Sequence, residues 1–365
     1  MQIITITCHD VYNHGASLQA YALQTYLESL GHDVRIIDYK PDYLSKHYNL
    51  WTVSNPVYDK SFVKQAYLLA KLPGRLIALK RKGAFDRFTK RYLKLTDRYH
   101  SNEELKKNPP QADVYIAGSD QIWNTLFQNG HDEAFYLDFA PKTSKRIAYA
   151  ASFATKDVAE DCRSFVIKML QNFDAISIRE SISLPLLKSL GRGDGIAVCD
   201  PVFLLSKEQW NRLLPVKEDG MSPYVLVYDS ENSSIMKEIA CKIAKEKKLK
   251  IYSVSAWKLS YADKNFWACG PLDFVRLIRD AEMVISNSFH ASAFSMIFEK
   301  EFYVINRSEG INERMLSLLT DCGLPDRLIH NYFMRSTIPI NYSEVRKKIE
   351  FLICNSKHFL SNSLV

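Results

Sequence analysis

No uninterrupted apolar run reaches the roughly 18 residues that a membrane-spanning helix needs, so the sequence predicts no such helix. The first residues, MQIITITCHD, have neither the basic start nor the long apolar core of a signal peptide. The 7 cysteines are dispersed and include no CxxC pair, which argues against a metal site. An odd and scattered set is typical of reduced thiols, and we therefore expect a cytoplasmic protein.

Glycine-rich nucleotide loops are also missing. The polar loop after the first predicted strand contains one glycine, Gly15, and no GxGxxG pattern, so a bound dinucleotide is not indicated. We predict neither a metal nor a bound cofactor. The turn at residues 13–17 can still present backbone N–H groups to an anion or a sugar.

The composition is that of a soluble globular protein, with 47% hydrophobic and 24% charged residues. At 365 residues the chain is too long for one ordinary domain, and two are expected. Apolar strands alternate with amphipathic helices in two series. The first series has predicted strands at 2–7, 33–39, 113–117, 146–154, 175–178 and 196–200, and a helix at 16–30. The second has strands at 224–229, 251–255, 283–285 and 302–305, and helices at 234–246, 272–280, 289–298 and 312–320.

This alternation predicts an α/β protein with two Rossmann-like domains facing a cleft, a GT-B-like architecture. We assign residues 1–204 to the N-terminal domain and 222–340 to the C-terminal domain, joined by a linker at 205–223. A helical insertion is expected at about 40–110, where the alternation breaks. Residues 341–365 form a C-terminal helix and tail, with the helix at 343–355.

The stretch 281–305, AEMVISNSFHASAFSMIFEKEFYVI, predicts a strand, a polar turn, a helix and a second strand. The N-terminus of its helix is a natural anion site. His290 lies in the first helical turn and is the side chain most readily used as an acid or base near neutral pH. The alternative is that Ser288 merely caps the helix and His290 fills a surface niche.

Polar residues also follow two strands of the first series. Strand 113–117 runs into Ser119 and Asp120, and strand 175–178 ends directly on Arg179. Ligand sites of open α/β sheets gather at the carboxyl ends of strands, which favours a functional role. A turn with a cap, or an arginine–glutamate surface pair, is the structural alternative. For Asp200, at the end of strand 196–200, we favour a capping or structural role.

A basic segment at 71–94 holds nine lysines and arginines against one acid, Asp86, with apolar residues interleaved. Such a segment can lie on an anionic membrane surface or bind nucleic acid. The alternative is a pair of amphipathic helices with a solvated basic face. No nucleic-acid module accompanies the segment, so among the functional readings we favour peripheral contact with the membrane or with a lipid-linked substrate, and no nucleic acid.

Several motifs together resemble those of the polysaccharide pyruvyl transferase family. They are NHGASLQAYAL, GSDQIWN, FYLDF, KRIAYAASF, SIRE, DPVFLL and SNSFHASAFSMIF, spread over about residues 3–330. The resemblance implies a GT-B-like fold. It also implies transfer of a pyruvyl group from phosphoenolpyruvate, as co-substrate, to two hydroxyls of a sugar in a capsule or exopolysaccharide or its lipid-linked precursor. The product is a cyclic ketal, made at the inner face of the cell membrane.

The resemblance also implies residue roles. His290 matches the family's histidine acid, and Arg179 matches an arginine that contacts the donor. The family has an R-x-H motif that ends on this histidine. In this chain Ser288 stands where the family has the arginine of that motif. Arg314, Arg307 and Lys300 are therefore candidates for the missing cation, and Asn287 joins the donor side.

The opposite domain is expected to bind the acceptor sugar. Asp120 is the candidate base for a sugar hydroxyl, and Trp123 is a candidate platform for a sugar face, with a core position as its alternative. The other candidate acceptor contacts are Asn13, Gly15, Ser17, Ser119, Gln121 and Asn124.

Two rival functions remain open at this stage. One is a GT-B glycosyltransferase that uses a nucleotide sugar, since fold does not fix function. Neither Glu299 nor Glu301 is followed by the glycine-rich loop that this rival would favour. The other is a non-catalytic glycan-binding relative, which Ser288 in place of arginine favours.

Overall fold

The computed structural model describes residues 1–45, 61–216, 220–307 and 312–365. These residues form two parallel sheets flanked by helices. The strands of the first sheet are β1 Gln2–Ile6, β2 Asp33–Tyr39, β3 Leu95–Tyr99, β4 Val114–Ala117, β5 Lys145–Ala151, β6 Ala175–Ile178 and β7 Ile196–Ala197. The helices of this half are α1 His14–Ser29, α2 Asp42–Ser45, α3 Ser61–Tyr92, α4 Asn102–Lys107, α5 Glu160–Leu170 and α6 Leu184–Ser189, and α7 Lys207–Leu213 follows them.

The second sheet belongs to the C-terminal half. Its strands are β8 Tyr224–Tyr228, β9 Lys250–Ser253, β10 Lys264–Asn265, β11 Met283–Ser286, β12 Glu301–Ile305 and β13 Leu328–Ile329. The helices are α8 Ser234–Lys247, α9 Pro271–Asp280, α10 Phe289–Ile297, α11 Glu313–Asp321 and α12 Tyr342–Leu364. No helix in the described residues is long and apolar enough to cross a membrane.

The two sheets share one topology. The first has the strand order β3-β2-β1-β4-β5-β6-β7 and the second has β10-β9-β8-β11-β12-β13, and all neighbours pair in parallel. This is the doubly wound arrangement, in which helices cover both faces and central strands become continuously apolar. Strands β4 and β11 are accordingly buried at every position. The predicted α/β fold with two Rossmann-like sheets is confirmed.

Several predicted elements differ in extent. Residues 40–110 are more than an insertion, because β3 pairs with β2 and forms the edge of the first sheet. The basic segment lies in one long helix, α3, rather than in a helix pair. The predicted linker contains helix α7, whose capping box at Ser206 and Gln209 marks a defined start. The strand predicted at 196–200 shrinks to β7, because Asp200 and Pro201 open a short 3-10 helix.

Candidate active site

In each sheet the strand order reverses beside the first strand of that half, between β1 and β4 and between β8 and β11. Doubly wound folds bind ligands outside the carboxyl ends of the strands at such a point. Here the loops from both reversal points meet in one cavity between the two halves. Its lining residues are Asn13, Asp120, Gln121, Tyr228, Ser230, Asn287, Ser288, Phe289, His290, Arg307 and Arg314.

The turn between β11 and α10 positions the C-terminal wall of this cavity. Ser288 caps α10, its Oγ accepting from the backbone N–H of Ala291 at 3.5 Å. The side-chain oxygen of Asn287 accepts from both the backbone N–H and the hydroxyl of Ser230, at 3.0 and 2.8 Å. Asn287 thereby ties the β11 turn to the loop after β8. The side chain of His290 follows in the first turn of the helix and is 6% exposed.

Asp200 is the carboxylate around which this site is built. Its Oδ2 accepts from Nη1 of Arg179 at 2.9 Å and from Oγ of Ser119 at 3.0 Å, and it lies 3.5 Å from Nε2 of His290. Its Oδ1 accepts from the backbone N–H of Val202 at 3.1 Å. Burial alone would raise the pKa of Asp200, but His290 and Arg179 hold it well below its usual range. The sequence pattern favoured a capping or structural role for this residue.

Arg179 is buried among acids. Its guanidinium also donates to Glu180 at 3.2 Å, approaches Asp120 at 4.0 Å, and lies 4.2 Å from the ring centre of Phe289. Burial disfavours its charge, yet Glu180, Asp200 and Asp120 raise the pKa of Arg179 above its usual value. Arg179 keeps its positive charge, but the surrounding carboxylates balance that charge, so it attracts a ligand anion only weakly. Arg179 also does not line the cavity.

Arg314 has the opposite surroundings. It is 6% exposed, in the first turn of α11, and within the described residues its Nε has no hydrogen-bond partner. Burial, and then the nearby charge of Arg179, lower the pKa of Arg314 to about 10. Among the described residues no carboxylate forms an ion pair with Arg314, and a buried guanidinium of this kind at a cavity wall is suited to bind an anion. Arg307, also in the cavity wall, forms an ion pair with Glu231 at 3.2 Å.

Asp120 projects from the N-terminal wall. It follows β4 with a φ of 78°, a left-handed conformation that is rare outside glycine. Its backbone oxygen accepts from the N–H groups of Ile122 and Ser152, at 2.8 and 3.1 Å, which fixes this conformation. The carboxylate therefore faces the cavity, where Asn13 and Gln121 lie beside it.

Several predicted acceptor contacts have structural positions instead. Trp123 is fully buried, donates from Nε1 to the Phe135 carbonyl at 3.2 Å, and stacks on Tyr136, so it belongs to the core and is not a sugar platform. Asn124 is also fully buried, and its amide donates to Gln121 Oε1 at 2.9 Å.

Three further predicted acceptor contacts also lie outside the cavity lining, whereas Asn13 and Gln121 are part of it. Ser119 donates to Asp200, the hydroxyl of Ser17 points to the His9 carbonyl at 3.5 Å, and Gly15 packs against the ring of His290. Lys300 immediately precedes β12, at the opposite end of the sheet from His290, so it cannot supply the missing cation.

Sequence reasoning missed Tyr228 and Ser230 in the cavity wall and the central position of Asp200. Tyr228 is the last residue of β8 and Ser230 lies two residues beyond it, at the strand end where the reversal of strand order places ligand contacts. The sequence signal was therefore their place at a strand end, which the motif search did not use.

A sequence model of the family described as polysaccharide pyruvyl transferase matches residues 13–309. No curated protein was found to match the chain. A putative UDP-N-acetylglucosamine 2-epimerase from Listeria monocytogenes has a similar structure, with a TM-score of 0.50 at 11% identity, over 98% of this chain and 89% of that one. The UDP-GlcNAc 2-epimerase from Methanocaldococcus jannaschii gives 0.45 at 14%, over 96% and 92%, and the spinosyn forosaminyltransferase SpnP gives 0.45 at 12%, over 100% and 93%. At 11% identity the likeness to the Listeria structure shows the fold alone, which is GT-B-like.

Proposed function

The chain belongs to the polysaccharide pyruvyl transferase family, and we propose that it moves the pyruvyl group of phosphoenolpyruvate onto two hydroxyls of a sugar. The sugar is part of a cell-surface polysaccharide or of its lipid-linked precursor. The observation that carries this proposal is Arg314, a buried cation in the same cavity as His290 whose Nε has no hydrogen-bond partner among the described residues. It supplies the positive charge that Ser288 does not.

The donor carries a carboxylate and a phosphate, so its site needs fixed cations and oriented N–H groups. Arg314 and Arg307 provide two guanidinium groups in the C-terminal wall. The N-terminus of α10 adds backbone N–H groups and the positive end of a helix dipole to the same wall. Arg179 forms ion pairs with the buried acids and lies outside the cavity lining. Its role in this proposal is to orient Asp200 and not to bind the donor.

His290 is the proposed general acid. A proton from its ring goes to the methylene carbon of phosphoenolpyruvate, and an oxocarbenium-like centre forms at C2. One sugar hydroxyl adds to C2 and gives up its proton. The oxygen of a second hydroxyl then bonds to C2 while the bond from C2 to the phosphate oxygen breaks. The phosphate leaves with those bonding electrons and takes up the proton of this hydroxyl, and the cyclic ketal closes. Asp120, on the opposite wall, is the proposed base for the attacking hydroxyl, with Asn13 and Gln121 as acceptor contacts.

A lipid-linked acceptor would bring the protein to the inner face of the membrane. Helix α3 supports this part of the proposal, because Lys80, Arg87, Lys90 and Arg91 are exposed on it. Such a cluster is attracted to anionic headgroups.

The donor assignment is tested by thermal unfolding with phosphoenolpyruvate, beside UDP and UDP-sugars. A ligand that binds only the native state raises Tm in proportion to RT ln(1 + [L]/Kd). We expect phosphoenolpyruvate to raise the Tm of the wild type and of a control, Arg212→Met, which removes an exposed arginine of α7. The shift should vanish in Arg314→Met.

Other outcomes would contradict the proposal. A shift with UDP compounds alone would favour glycosyl transfer from a nucleotide sugar. An undiminished phosphoenolpyruvate shift in Arg314→Met would locate the donor elsewhere, and no shift at all would argue against a preformed donor site. Once an acceptor is found, His290→Ala should lower the rate of phosphate release by roughly 10²–10⁴-fold. A non-catalytic binding protein would release no phosphate in either form.

A further inference from the structure

His290 belongs to the C-terminal half, but both groups that hold its ring come from the N-terminal half. On one side, Nε2 lies 3.5 Å from Oδ2 of Asp200. On the other side, a Cβ added to Gly15 would lie 1.9 Å from Nδ1 and 2.2 Å from Cγ of the ring. The ring therefore occupies the space that any side chain at position 15 would need.

The carboxylate of Asp200 cannot turn away from this ring. It is 1% exposed and accepts hydrogen bonds from Arg179, Ser119 and the backbone of Val202. These donors fix the orientation of both carboxylate oxygens. A fixed carboxylate that faces one ring nitrogen orients an imidazole and interacts favourably with its protonated form.

Backbone geometry does not explain the glycine at position 15. Gly15 lies in the first turn of α1, where Asn13 caps the helix, and it is not among the residues with positive φ. Alanine would fit this backbone and is the better helix former. The contact with the ring of His290 is what excludes a side chain here.

We propose that the N-terminal half positions the acid of the opposite half, with Asp200 orienting the imidazole of His290 through Nε2 and Gly15 forming the surface on which the ring rests. The proposal depends on the acid role proposed above for His290. Because Nε2 is enclosed and faces Asp200, the proton passed to the substrate leaves from Nδ1. The acid is correctly placed only when the two halves are together, so proton transfer is coupled to the closed cleft.

The contact between Gly15 and the ring of His290 is tested by a double-mutant cycle in thermal unfolding. Gly15→Ala should lower Tm in the wild type, because the new methyl group displaces the ring. In a His290→Ala background that space is empty, so Gly15→Ala should raise Tm through its helix propensity. The control is Gly83→Ala in α3, whose Cβ would meet only Nη1 of Arg87, at 3.4 Å, and should have the same effect in both backgrounds. Equal effects of Gly15→Ala in both backgrounds would overturn the proposal.

The role of Asp200 is tested by steady-state kinetics of Asp200→Asn, which keeps the shape and removes the charge. We expect kcat to fall at least about 10-fold, with the KM for phosphoenolpyruvate changed less than about twofold, since the carboxylate acts on the acid and not on the donor. Asp321→Asn is the control, because Asp321 accepts from Ser181 across the same interface without facing His290. An unchanged kcat, or a loss confined to KM, would refute a positioning role.

The two tests separate this proposal from the proposed function. Full turnover in His290→Ala would refute the acid role, whereas the Gly15 cycle measures only where the ring lies. If Asp200→Asn does not fold, the Gly15 cycle still decides whether the N-terminal half holds His290.

Discussion

At the scale of single residues, the positive charge of the cavity lies on a different element from the one that the motif indicated. The family motif has an arginine two residues before its histidine, and Ser288 stands there in this chain. Ser288 caps α10 instead, and Arg314 reaches the same cavity from α11. The sequence offers Arg314, 24 residues further along the chain than His290, as one of three candidate cations, and only the structure distinguishes it from Lys300.

In the absence of ligand, Arg314 should destabilise the folded protein. A buried charge without an acidic partner destabilises the folded state, and an apolar residue of similar size removes that penalty. We therefore expect Arg314→Met to raise the free energy of unfolding by roughly 1–3 kcal/mol in urea denaturation without ligand. If Arg314→Met instead lowers the free energy of unfolding while Arg212→Met leaves it unchanged, Arg314 makes stabilising contacts in the folded protein. That result would contradict its assignment as an anion-binding group.

At the scale of elements, α3 combines an exposed basic face with a buried one. The sequence predicted the basic character of residues 71–94, and the structure shows how it is divided. Lys80, Arg87, Lys90 and Arg91 are exposed. Arg81 is buried, and Lys82 pairs with Asp86 at 2.5 Å. Among the described side chains of the segment, this exposed group is the one available to a membrane, because Arg81, Lys82 and Lys94 already have partners within the protein.

We expect the triple variant Arg87→Gln, Lys90→Gln, Arg91→Gln to bind vesicles of phosphatidylglycerol and phosphatidylcholine more weakly than wild type. The expected loss is about 1 kcal/mol per charge, measured by vesicle co-sedimentation at fixed salt. The matched control neutralises the exposed lysines 245, 247 and 248 at the end of α8, which changes the net charge equally. Equal losses in both triple variants would reveal a non-specific charge effect, and unchanged binding would show that α3 does not touch the membrane.

At the scale of the whole molecule, two helices connect the halves that carry the walls of the cavity. Arg81 of α3 donates to the Tyr12 carbonyl of the N-terminal half at 3.2 Å and to the Trp267 carbonyl of the C-terminal half at 3.1 Å. Helix α12 returns to the N-terminal half, where the hydroxyl of Ser356 accepts from the backbone N–H of Cys199 at 2.8 Å. These links maintain the cleft in which His290 meets Asp200.

Replacing Arg81, which donates to both halves, should destabilise the folded protein. Arg81→Met leaves two buried carbonyl groups without their charged donor, and hydrogen bonds of that kind contribute roughly 1.5–3 kcal/mol each. We expect the free energy of unfolding to fall by roughly 2–4 kcal/mol in urea denaturation. Lys80→Met, at the neighbouring exposed position, should change it little. Similar values for the two variants would show that Arg81 does not join the halves.

The sequence by itself determined the two alternating series, the elements near the cleft and the family resemblance. Apolar runs and helical periodicity are local, so β1, β4, β8 and β11 could be recognised from the chain alone. The motif residues His290 and Asp120 could be chosen for the same reason, since each lies within four residues of the end of a strand.

Tertiary structure alone decided which of these residues meet. Trp123 entered the core because its ring stacks on Tyr136, which no strand-end rule reveals. Residue pairs such as Asp200 with His290 and Gly15 with His290 join the two halves across the cleft. Local patterns encode the period of an element and the face that it buries. The distances between residues on different elements are set only when both sheets have packed, which is why the choice among the candidate cations, and the positioning groups of this site, had to be read from the structure.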